Sequence, residues 1–300
     1  MMKKIRACLE LIRPANIVTA FADILAGFAA VGGVLLFTTS GIKVEPSGLL
    51  WLLSATFGLY GGGIVFNDVF DATLDSKERP ERAIPSGRIS KTGASILGSL
   101  LYIIALFSAI QVSVPAIYLS VFIILCSLIY DSKTKHSAIL GPLFMGLCRG
   151  GNFLLGASLL PVELSGIWFV ALIPIIYIFA ITLISRGEVA GGWKKHGILS
   201  FLMICAVILS ILLLSLMQSF NLIIASPFLI LFGLLVIPPF AKAAKTSEAH
   251  HIRKAVKRGV VSLVIFNSIL AAGFSGVIFG ITVLFLFPLS IGLSKLFAVT

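Results

Sequence analysis

The chain has 300 residues, of which 58% are hydrophobic and 12% are charged. A soluble domain carries about 25% charged residues, and no soluble fold of this length could cover so much apolar surface. Basic residues outnumber acidic ones by 23 to 12, but in a chain with long apolar segments this excess first indicates membrane orientation. The composition therefore predicts a polytopic membrane protein that binds no nucleic acid.

A membrane-spanning helix needs roughly 20 apolar residues, and nine segments of the chain come close to that length. We predict helices at residues 16–37, 48–66, 93–112, 115–130, 140–160, 165–184, 198–217, 221–240 and 260–286. The last one is long, and we expect it to bend near Gly273 or Gly280. The sequence thus predicts an all-α fold of nine transmembrane helices in a single domain, residues 1–300.

The charges between these helices predict how the protein lies in the bilayer. Almost all lysines and arginines in the predicted loops fall on one side, while the other side holds only Lys43 and Lys295. Loops rich in Lys and Arg stay on the cytoplasmic side. We therefore expect an integral protein of the cell inner or plasma membrane, with its N-terminus cytoplasmic and its C-terminus outside.

Acidic residues cluster directly after the second predicted helix. Asp68, Asp71 and Asp75 are spaced so that a continuing helix places them on one face, with Asn67 one turn before Asp71. Carboxylates on adjacent turns repel each other unless a cation lies between them, and such oxygen ligands suit Mg²⁺. We favour a metal site over the alternative, a solvated loop whose acids offset the cations that follow.

The segment Asn67 to Asp75 reads NDxxDxxxD, and with it the sequence resembles the UbiA superfamily of intramembrane prenyltransferases. The following segment, Arg79 to Gly87, and the segment Arg13 to Asn16 are also similar to that family. The resemblance is greatest to the branches that contain chlorophyll synthase and the archaeal ether-lipid prenyltransferases. It implies a UbiA-type bundle of nine helices around a central cavity.

The resemblance also implies a reaction, the transfer of an isoprenyl group from a polyprenyl diphosphate to a lipophilic acceptor with release of pyrophosphate. In the family, Mg²⁺ held by aspartates binds the diphosphate and assists its departure. The residues implied as metal ligands are Asp68, Asp71, Asp75 and Glu188, and those implied in catalysis are Asn67, Asp71 and Glu188. The expected partners are the diphosphate, the hydrophobic acceptor and the lipid bilayer.

Two parts of the chain look like diverged copies. Arg13-x-x-Asn16 opens the first predicted helix and Arg149-x-x-Asn152 lies in the fifth, which divides the chain into halves of about 10–135 and 136–245 followed by the helix 260–286. The second half departs from the family pattern, because Glu188 is the only carboxylate in the loop that follows the sixth helix. This departure is similar to the divergent UbiA-like branch found in ebo gene clusters.

The reduced second motif leaves three interpretations open. Glu188 could hold a second Mg²⁺ whose other ligands are substrate and water, or Arg186 or a nearby lysine could replace the charge of that metal. Alternatively, the chain has lost the transfer chemistry and binds or transports a lipid or metabolite. A CDP-alcohol phosphotransferase is excluded, because the DGxxAR segment of that family is absent after Asp71.

Further polar residues lie in or beside predicted helices. Arg149 is deep in its helix, and there it either contacts the diphosphate or pairs with Asp23, because an ionisable group inside a membrane needs a partner. Lys133 and Lys135 follow the fourth helix, where family members place a diphosphate-binding lysine, and the sequence does not choose between them. The predicted diphosphate-binding residues are Lys133, Lys135, Arg149 and Arg186, and the predicted cavity or acceptor residues are Asn16, Asp23, Tyr130 and Asn152.

Overall fold

The computed structural model describes residues 2–34, 46–188 and 191–296, and every regular element within them is helical. The first helices are α1 (Met2–Ile12), α2 (Pro14–Ala30), α3 (Pro46–Glu78), α4 (Lys91–Ile110), α5 (Val114–Ile129), α6 (Leu140–Ala157), α7 (Pro161–Ile167) and α8 (Leu172–Ser185). The remaining helices are α9 (Lys194–Leu213), α10 (Leu222–Thr246), α11 (Ala249–Val261), α12 (Leu263–Ser275), α13 (Val277–Leu284) and α14 (Leu286–Leu296). A π-helical segment, Tyr130–Thr134, extends α5, and short 3₁₀ segments join α7 to α8 and follow α9.

Seven helical stretches are long and apolar enough to cross a membrane. The other two predicted spans coincide with α2, which has 17 residues, and with α6, which has 18 residues and carries Arg149 in its middle. Each of the first eight predicted spans therefore falls on one helical stretch, although residues 35–37 of the first lie outside the described residues, and the ninth is divided among several helices. The predicted all-α polytopic membrane fold is confirmed.

The helix that carries the aspartates continues well past the apolar segment that defines its span. The second span was expected over residues 48–66, but α3 runs for 33 residues, from Pro46 to Glu78. The predicted continuation of this helix is thus confirmed, and Asp68, Asp71 and Asp75 lie along its last three turns. The site is therefore built on a rigid helix and not on a loop.

Helices α2 and α6 pack closely because glycines stand at their contact. A Cβ on Gly27 would meet the backbone of Phe153, and a Cβ on Gly156 would meet the backbone of Ile24. Small residues let membrane helices approach until their backbones touch. This close approach sets the polar residues of α2 directly opposite those of α6.

The C-terminal part of the bundle differs from the prediction. The single helix expected over 260–286 is wrong, because the chain breaks at Gly276, between the two positions at which we expected a bend. Gly276 has φ +93°, a conformation that side-chain-bearing residues rarely adopt. A Cβ on Gly280 would meet Ala272, so α13 folds back onto α12.

After this reversal the chain runs back along α2. The rings of Phe279 and Phe28 are 6.3 Å apart at the C-terminal end of α2. The Oγ of Ser290 donates a hydrogen bond of 3.3 Å to the carbonyl oxygen of Ala15, at the N-terminal end of α2. Helices α13 and α14 together therefore lie antiparallel to α2.

Candidate active site

The three aspartates of α3 form what we call the aspartate face, and arginines contact two of them. Asp68 accepts a hydrogen bond of 2.6 Å from Nη2 of Arg13, and its Oδ1 lies 3.5 Å from Nη1 of Arg82. The same Arg82 nitrogen donates to Oδ2 of Asp75 at 2.7 Å. Arg82 therefore bridges two carboxylates that stand two turns apart on the helix.

Arg13 reaches the aspartate face from the junction of α1 and α2. Pro14 prevents α1 from continuing, and Arg13 takes a left-handed conformation with φ +49°. Such a conformation costs about 1–3 kcal/mol in a residue other than glycine. The hydrogen bond to Asp68 helps to offset this cost. The turn at Arg13 and the contact of its guanidinium with Asp68 therefore depend on each other.

The remaining member of the aspartate face has a lysine as its partner. Asp71 and Lys135 form an ion pair, and partial burial lowers the pKa of the Lys135 ammonium. Lys133 is exposed but lies on the wall of the same cavity as Asp71. Of the two lysines that the sequence left undecided, Lys135 is thus the one that contacts the aspartate face.

Asn67 contacts an acid that our sequence analysis did not select. Its Nδ2 donates a hydrogen bond of 2.7 Å to Oδ1 of Asp131, and Asp131 is only 5% exposed. Asp131 belongs to the π-helical segment that ends α5. The sequence does contain a signal for it, an acid between Tyr130 and Lys133 at the end of an apolar helix.

Two adjoining cavities open beside these side chains. The first, which we call the mouth, has a volume of about 500 Å³ and is lined by Asp71, Asp131, Lys133, Lys135 and other residues. The second, the inner cavity, has a volume of about 320 Å³. Its wall is mainly apolar, and the polar residues on it include Arg13, Asn16, Thr19, Tyr60, Asn67, Tyr130, Asp131, Arg149 and Thr182.

Arg149 is held by a polar network between α2 and α6. Its Nη1 donates to Oδ2 of Asp23 at 2.7 Å and to the carbonyl of Thr19 at 3.1 Å, and its Nη2 donates to Oγ1 of Thr19 at 2.8 Å. The guanidinium carbon lies 5.0 Å from the ring centroid of Tyr60. Arg149 thus makes the predicted pair with Asp23 and also lines the inner cavity.

Two of the predicted cavity residues lie between helices instead. Asp23 is 1% exposed and Asn152 is fully buried, and neither lies on the walls of the mouth or the inner cavity. Asp23 accepts hydrogen bonds from Asn152 at 3.1 Å and from Asn267 at 2.7 Å, as well as from Arg149. Asn16 and Tyr130, by contrast, do line the inner cavity.

The residues of the second motif do not join the aspartate face. Arg186 donates hydrogen bonds to the carbonyl oxygens of Lys135, His136 and Ser137, so its guanidinium holds the loop that follows Lys135. Glu188 is half-buried, and burial raises the pKa of its carboxyl while Arg253 opposes that shift. The structure therefore places Arg186 beside the mouth and Glu188 near α11.

The donor set of the aspartate face fits a hard divalent cation. Asp68, Asp71 and Asp75 offer carboxylate oxygens on one helix face, the ligand type that Mg²⁺ prefers. In the structure, arginines and a lysine balance these carboxylates. Among the described residues, the group of three potential metal ligands whose ligand atoms all lie within 4.8 Å of one another is a different one. It consists of Glu248, His250 and His251, at the start of α11.

Comparisons with known proteins agree with this architecture. A sequence model of the UbiA prenyltransferase family matches residues 25–255. The chain belongs to the UbiA prenyltransferase family. The resemblance seen in the sequence is thus confirmed at the level of the family, and the finer similarity to the ebo-cluster branch stays a prediction.

The sequence relatives of this UbiA family member include archaeal digeranylgeranylglyceryl phosphate synthases. The protein from Methanosarcina mazei is 34% identical over 167 residues, which are 52% of this chain and 55% of the relative. The one from Methanocaldococcus jannaschii is 26% identical over 70% of this chain and 76% of the relative. The match spans 55% of the Methanosarcina mazei protein and 61% of a similar synthase from Sulfurisphaera tokodaii, so the chain covers less than two thirds of the length of these two relatives.

Solved structures of similar proteins share the fold. A digeranylgeranylglyceryl phosphate synthase superposes with a TM-score of 0.68 at 20% identity, over 90% of this chain and 98% of that one. A UbiA homologue from Archaeoglobus fulgidus, bound to GPP and Mg²⁺, superposes with a TM-score of 0.54 at 12% identity, over 92% of this chain and 99% of that one. These likenesses confirm the predicted UbiA-type bundle.

Proposed function

We propose that this membrane protein transfers an isoprenyl group from a polyprenyl diphosphate to a lipophilic acceptor and releases pyrophosphate. The observation that carries the proposal is that Asp71 of the aspartate face and its partner Lys135 line the mouth, which adjoins the mainly apolar inner cavity. A prenyl diphosphate has the matching form, a charged head on an apolar tail. Membership of the UbiA family supports the same reaction.

We propose Mg²⁺ as the cofactor, held by Asp68, Asp71 and Asp75. When bound, such an ion supplies positive charge to the diphosphate and makes it a better leaving group. The UbiA homologue from Archaeoglobus fulgidus bound to GPP and Mg²⁺ supports this choice. The proposal that Glu188 holds a second ion has weaker support, because Glu188 interacts with Arg253 and lines neither the mouth nor the inner cavity.

The cations at the mouth are proposed to bind the diphosphate. Lys135 is nearest to the aspartate face, and Lys133 is exposed on the same wall, where a mobile ammonium can follow a phosphate. Arg149 is proposed to reach the substrate from the inner cavity. Arg186 is assigned an indirect role, because its donors already hold the loop carbonyls that follow Lys135.

The transfer itself breaks the bond between C1 of the prenyl chain and the diphosphate oxygen, and the electron pair leaves with pyrophosphate. The acceptor atom then forms a bond to C1. Asn67 lines the inner cavity next to the aspartate face, which suits a role at the reacting carbon, and the acceptor is proposed to lie near Asn16 and Tyr130. Apolar walls exclude the water that would otherwise capture the allylic cation.

The experiment uses the full chain in nanodiscs with geranylgeranyl diphosphate as the donor. The names of the relatives suggest geranylgeranylglyceryl phosphate as the first acceptor to test. The wild-type protein should release pyrophosphate with Mg²⁺ and stop when EDTA removes it. Asp71→Ala and Asp75→Ala should lose at least about 100-fold in rate, while Glu78→Ala, an exposed acid on the same helix, should keep it.

Two results would contradict this assignment. Turnover at the wild-type rate in both aspartate variants would exclude the aspartate face as the reactive site. Binding of the prenyl diphosphate without release of pyrophosphate would favour the alternative function, a lipid or metabolite carrier. This alternative is based on the reduced second motif, in which Glu188 is the only carboxylate of the loop after α8.

We infer that the N-terminus is cytoplasmic, because the loops on its side of the bilayer carry most of the lysines and arginines.

For the C-terminus, the return of α13 and α14 along α2 supports a revision of our prediction. Twenty helical residues span about 30 Å, so residues 277–296 are long enough to cross back. The C-terminus is then cytoplasmic too, which adds Lys295 to the cations on that side. A C-terminal alkaline phosphatase fusion should be inactive and a fluorescent protein fusion bright, and the opposite result would restore the original prediction.

A further inference from the structure

Asp131 differs from the other buried and partly buried aspartates of the bundle in its surroundings. Asp23, Asp68, Asp71 and Asp75 each have an arginine or lysine nitrogen within 4.0 Å. Among the described residues, Asp131 has no such partner, and the polar contact of its carboxylate is the hydrogen bond of 2.7 Å from Asn67. A buried carboxylate without a cation is costly, so the position of Asp131 calls for a functional explanation.

The position of Asp131 indicates what that use is. It lines both the mouth and the inner cavity, and so it stands where the charged head of a prenyl diphosphate meets the apolar tail. The reacting carbon of such a substrate is the first carbon of the tail. The π-helical turn at Tyr130–Thr134 contributes to this position, because such turns shift the direction of side chains at the end of a helix.

The proposed reaction leaves one proton to be placed. When the acceptor atom bonds to C1 of the prenyl chain, it loses the hydrogen that it carried, whether that atom is oxygen or carbon. The electron pair of the broken C1–O bond leaves with pyrophosphate, so charge balances only when a base takes the proton. The carboxylates of Asp68, Asp71 and Asp75 are poor candidates, because arginine or lysine nitrogens already contact them and because they are the proposed ligands of Mg²⁺.

We propose that Asp131 is the base that accepts the proton of the acceptor during prenyl transfer. The proposal rests on the proposed function of the same site. Asn67 positions the Asp131 carboxylate by donating to Oδ1, which leaves Oδ2 available to the acceptor. General bases of this kind contribute about 10²- to 10⁴-fold to the rate.

The test compares Asp131→Asn with Glu78→Gln, the same chemical change at an exposed acid. Transfer is measured with geranylgeranyl diphosphate and geranylgeranylglyceryl phosphate in nanodiscs. Binding is measured with geranylgeranyl thiolodiphosphate, whose C–S bond resists cleavage, over a range of Mg²⁺ concentrations. We expect Asp131→Asn to transfer at least about 100-fold more slowly while its affinity for the analogue and its Mg²⁺ requirement stay within about threefold of the wild type.

A second variant keeps the test informative if the amide disturbs folding. Asp131→Ser leaves space beside Asn67, and added formate should restore part of its transfer rate, because formate can act as the missing base. Formate should not change the rate of Glu78→Gln.

Three results would overturn the role of Asp131. The first is a wild-type transfer rate in a folded Asp131 variant. The second is a variant in which extra Mg²⁺ restores both the transfer rate and the binding of the analogue, and the third is an Asp131→Ser variant whose transfer rate formate does not increase. Absence of transfer by the wild-type protein would overturn the proposed function as well, so the two failures are distinguishable.

Discussion

The buried pair of Asp23 and Arg149 allows a quantitative prediction about stability. Asp23 is 1% exposed and Arg149 is 8% exposed, and Nη1 of Arg149 lies 2.7 Å from Oδ2 of Asp23. In Asp23→Asn, the shape of the side chain is kept but its charge is lost. The amide NH₂ then takes the place of one carboxylate oxygen, where it faces either the donor of Asn267 or those of Arg149 and Asn152, and Arg149 loses its anionic partner.

Removing one partner of a buried ion pair costs about 3–5 kcal/mol. In a chain of this size, each kcal/mol lowers the melting temperature by about 2 °C, so Asp23→Asn should melt about 6–10 °C below the wild type. Arg149→Met should lose a comparable amount. The double variant should lose less than the sum of the two, by about 2 kcal/mol, because neither charge is then left unpaired.

The native cysteines provide the assay. Cys126 and Cys148 are buried and Cys205 is exposed, so a thiol-reactive dye gives a constant background from Cys205 and a rising signal as the bundle opens. Glu163→Gln changes an exposed acid at the start of α7 in the same way and should melt within about 1 °C of the wild type. A melting temperature of Asp23→Asn as close as this to the wild type would refute the assignment of the pair as a stabilising contact.

Three further changes have expected outcomes. Lys135→Ala should raise the KM for the prenyl diphosphate in the pyrophosphate-release assay by about tenfold or more, and Lys133→Ala should raise this KM less. Equal effects of the two variants would contradict the proposal that Lys135 is the main diphosphate-binding lysine. Arg186→Gln should also raise this KM, with little change in melting temperature, because it frees the loop after Lys135; an unchanged KM would show that the loop needs no such support. Gly27→Ala should lower the stability by about 1–3 kcal/mol in the thiol-dye melt, because the added methyl group forces α2 away from α6. Gly166→Ala should leave the stability unchanged, because an added Cβ there meets nothing within 4 Å. Equal losses of stability in the two variants would contradict the close packing of α2 and α6.

The sequence predicted those parts of the site that depend on local periodicity. The spacing of Asp68, Asp71 and Asp75 fixes their common face once the helix continues, and the helix does continue to Glu78. The membrane spans followed from the lengths of the apolar segments in the same way. Both features need only the geometry of one helix, and one sequence contains that information.

The partners of these side chains depend on tertiary packing, and the sequence did not predict them. Arg13 and Asp68 are 55 residues apart, and their contact requires the turn before Pro14 and the packing of α2 against α3. Asp131 looked like one more polar residue after a span, because its burial results from the π-helical end of α5. The return of the chain at Gly276 was missed because residues 260–286 carry no charge and are mostly apolar, so that they read as one helix.

The cations at the aspartate face explain how three neighbouring carboxylates are tolerated in an apolar bundle. Arg82 bridges Asp68 and Asp75, and Lys135 pairs with Asp71, so the carboxylates do not depend on a metal ion for charge balance in the folded protein. These side chains stand at the mouth or next to it, where a diphosphate would bring negative charges of its own. A cation that passes from a carboxylate to a phosphate keeps an anionic partner throughout, and the proposed Mg²⁺ would then balance the carboxylate that the cation leaves. The same residues can therefore stabilise the substrate-free bundle and bind the substrate, which accounts for their placement opposite the aspartates.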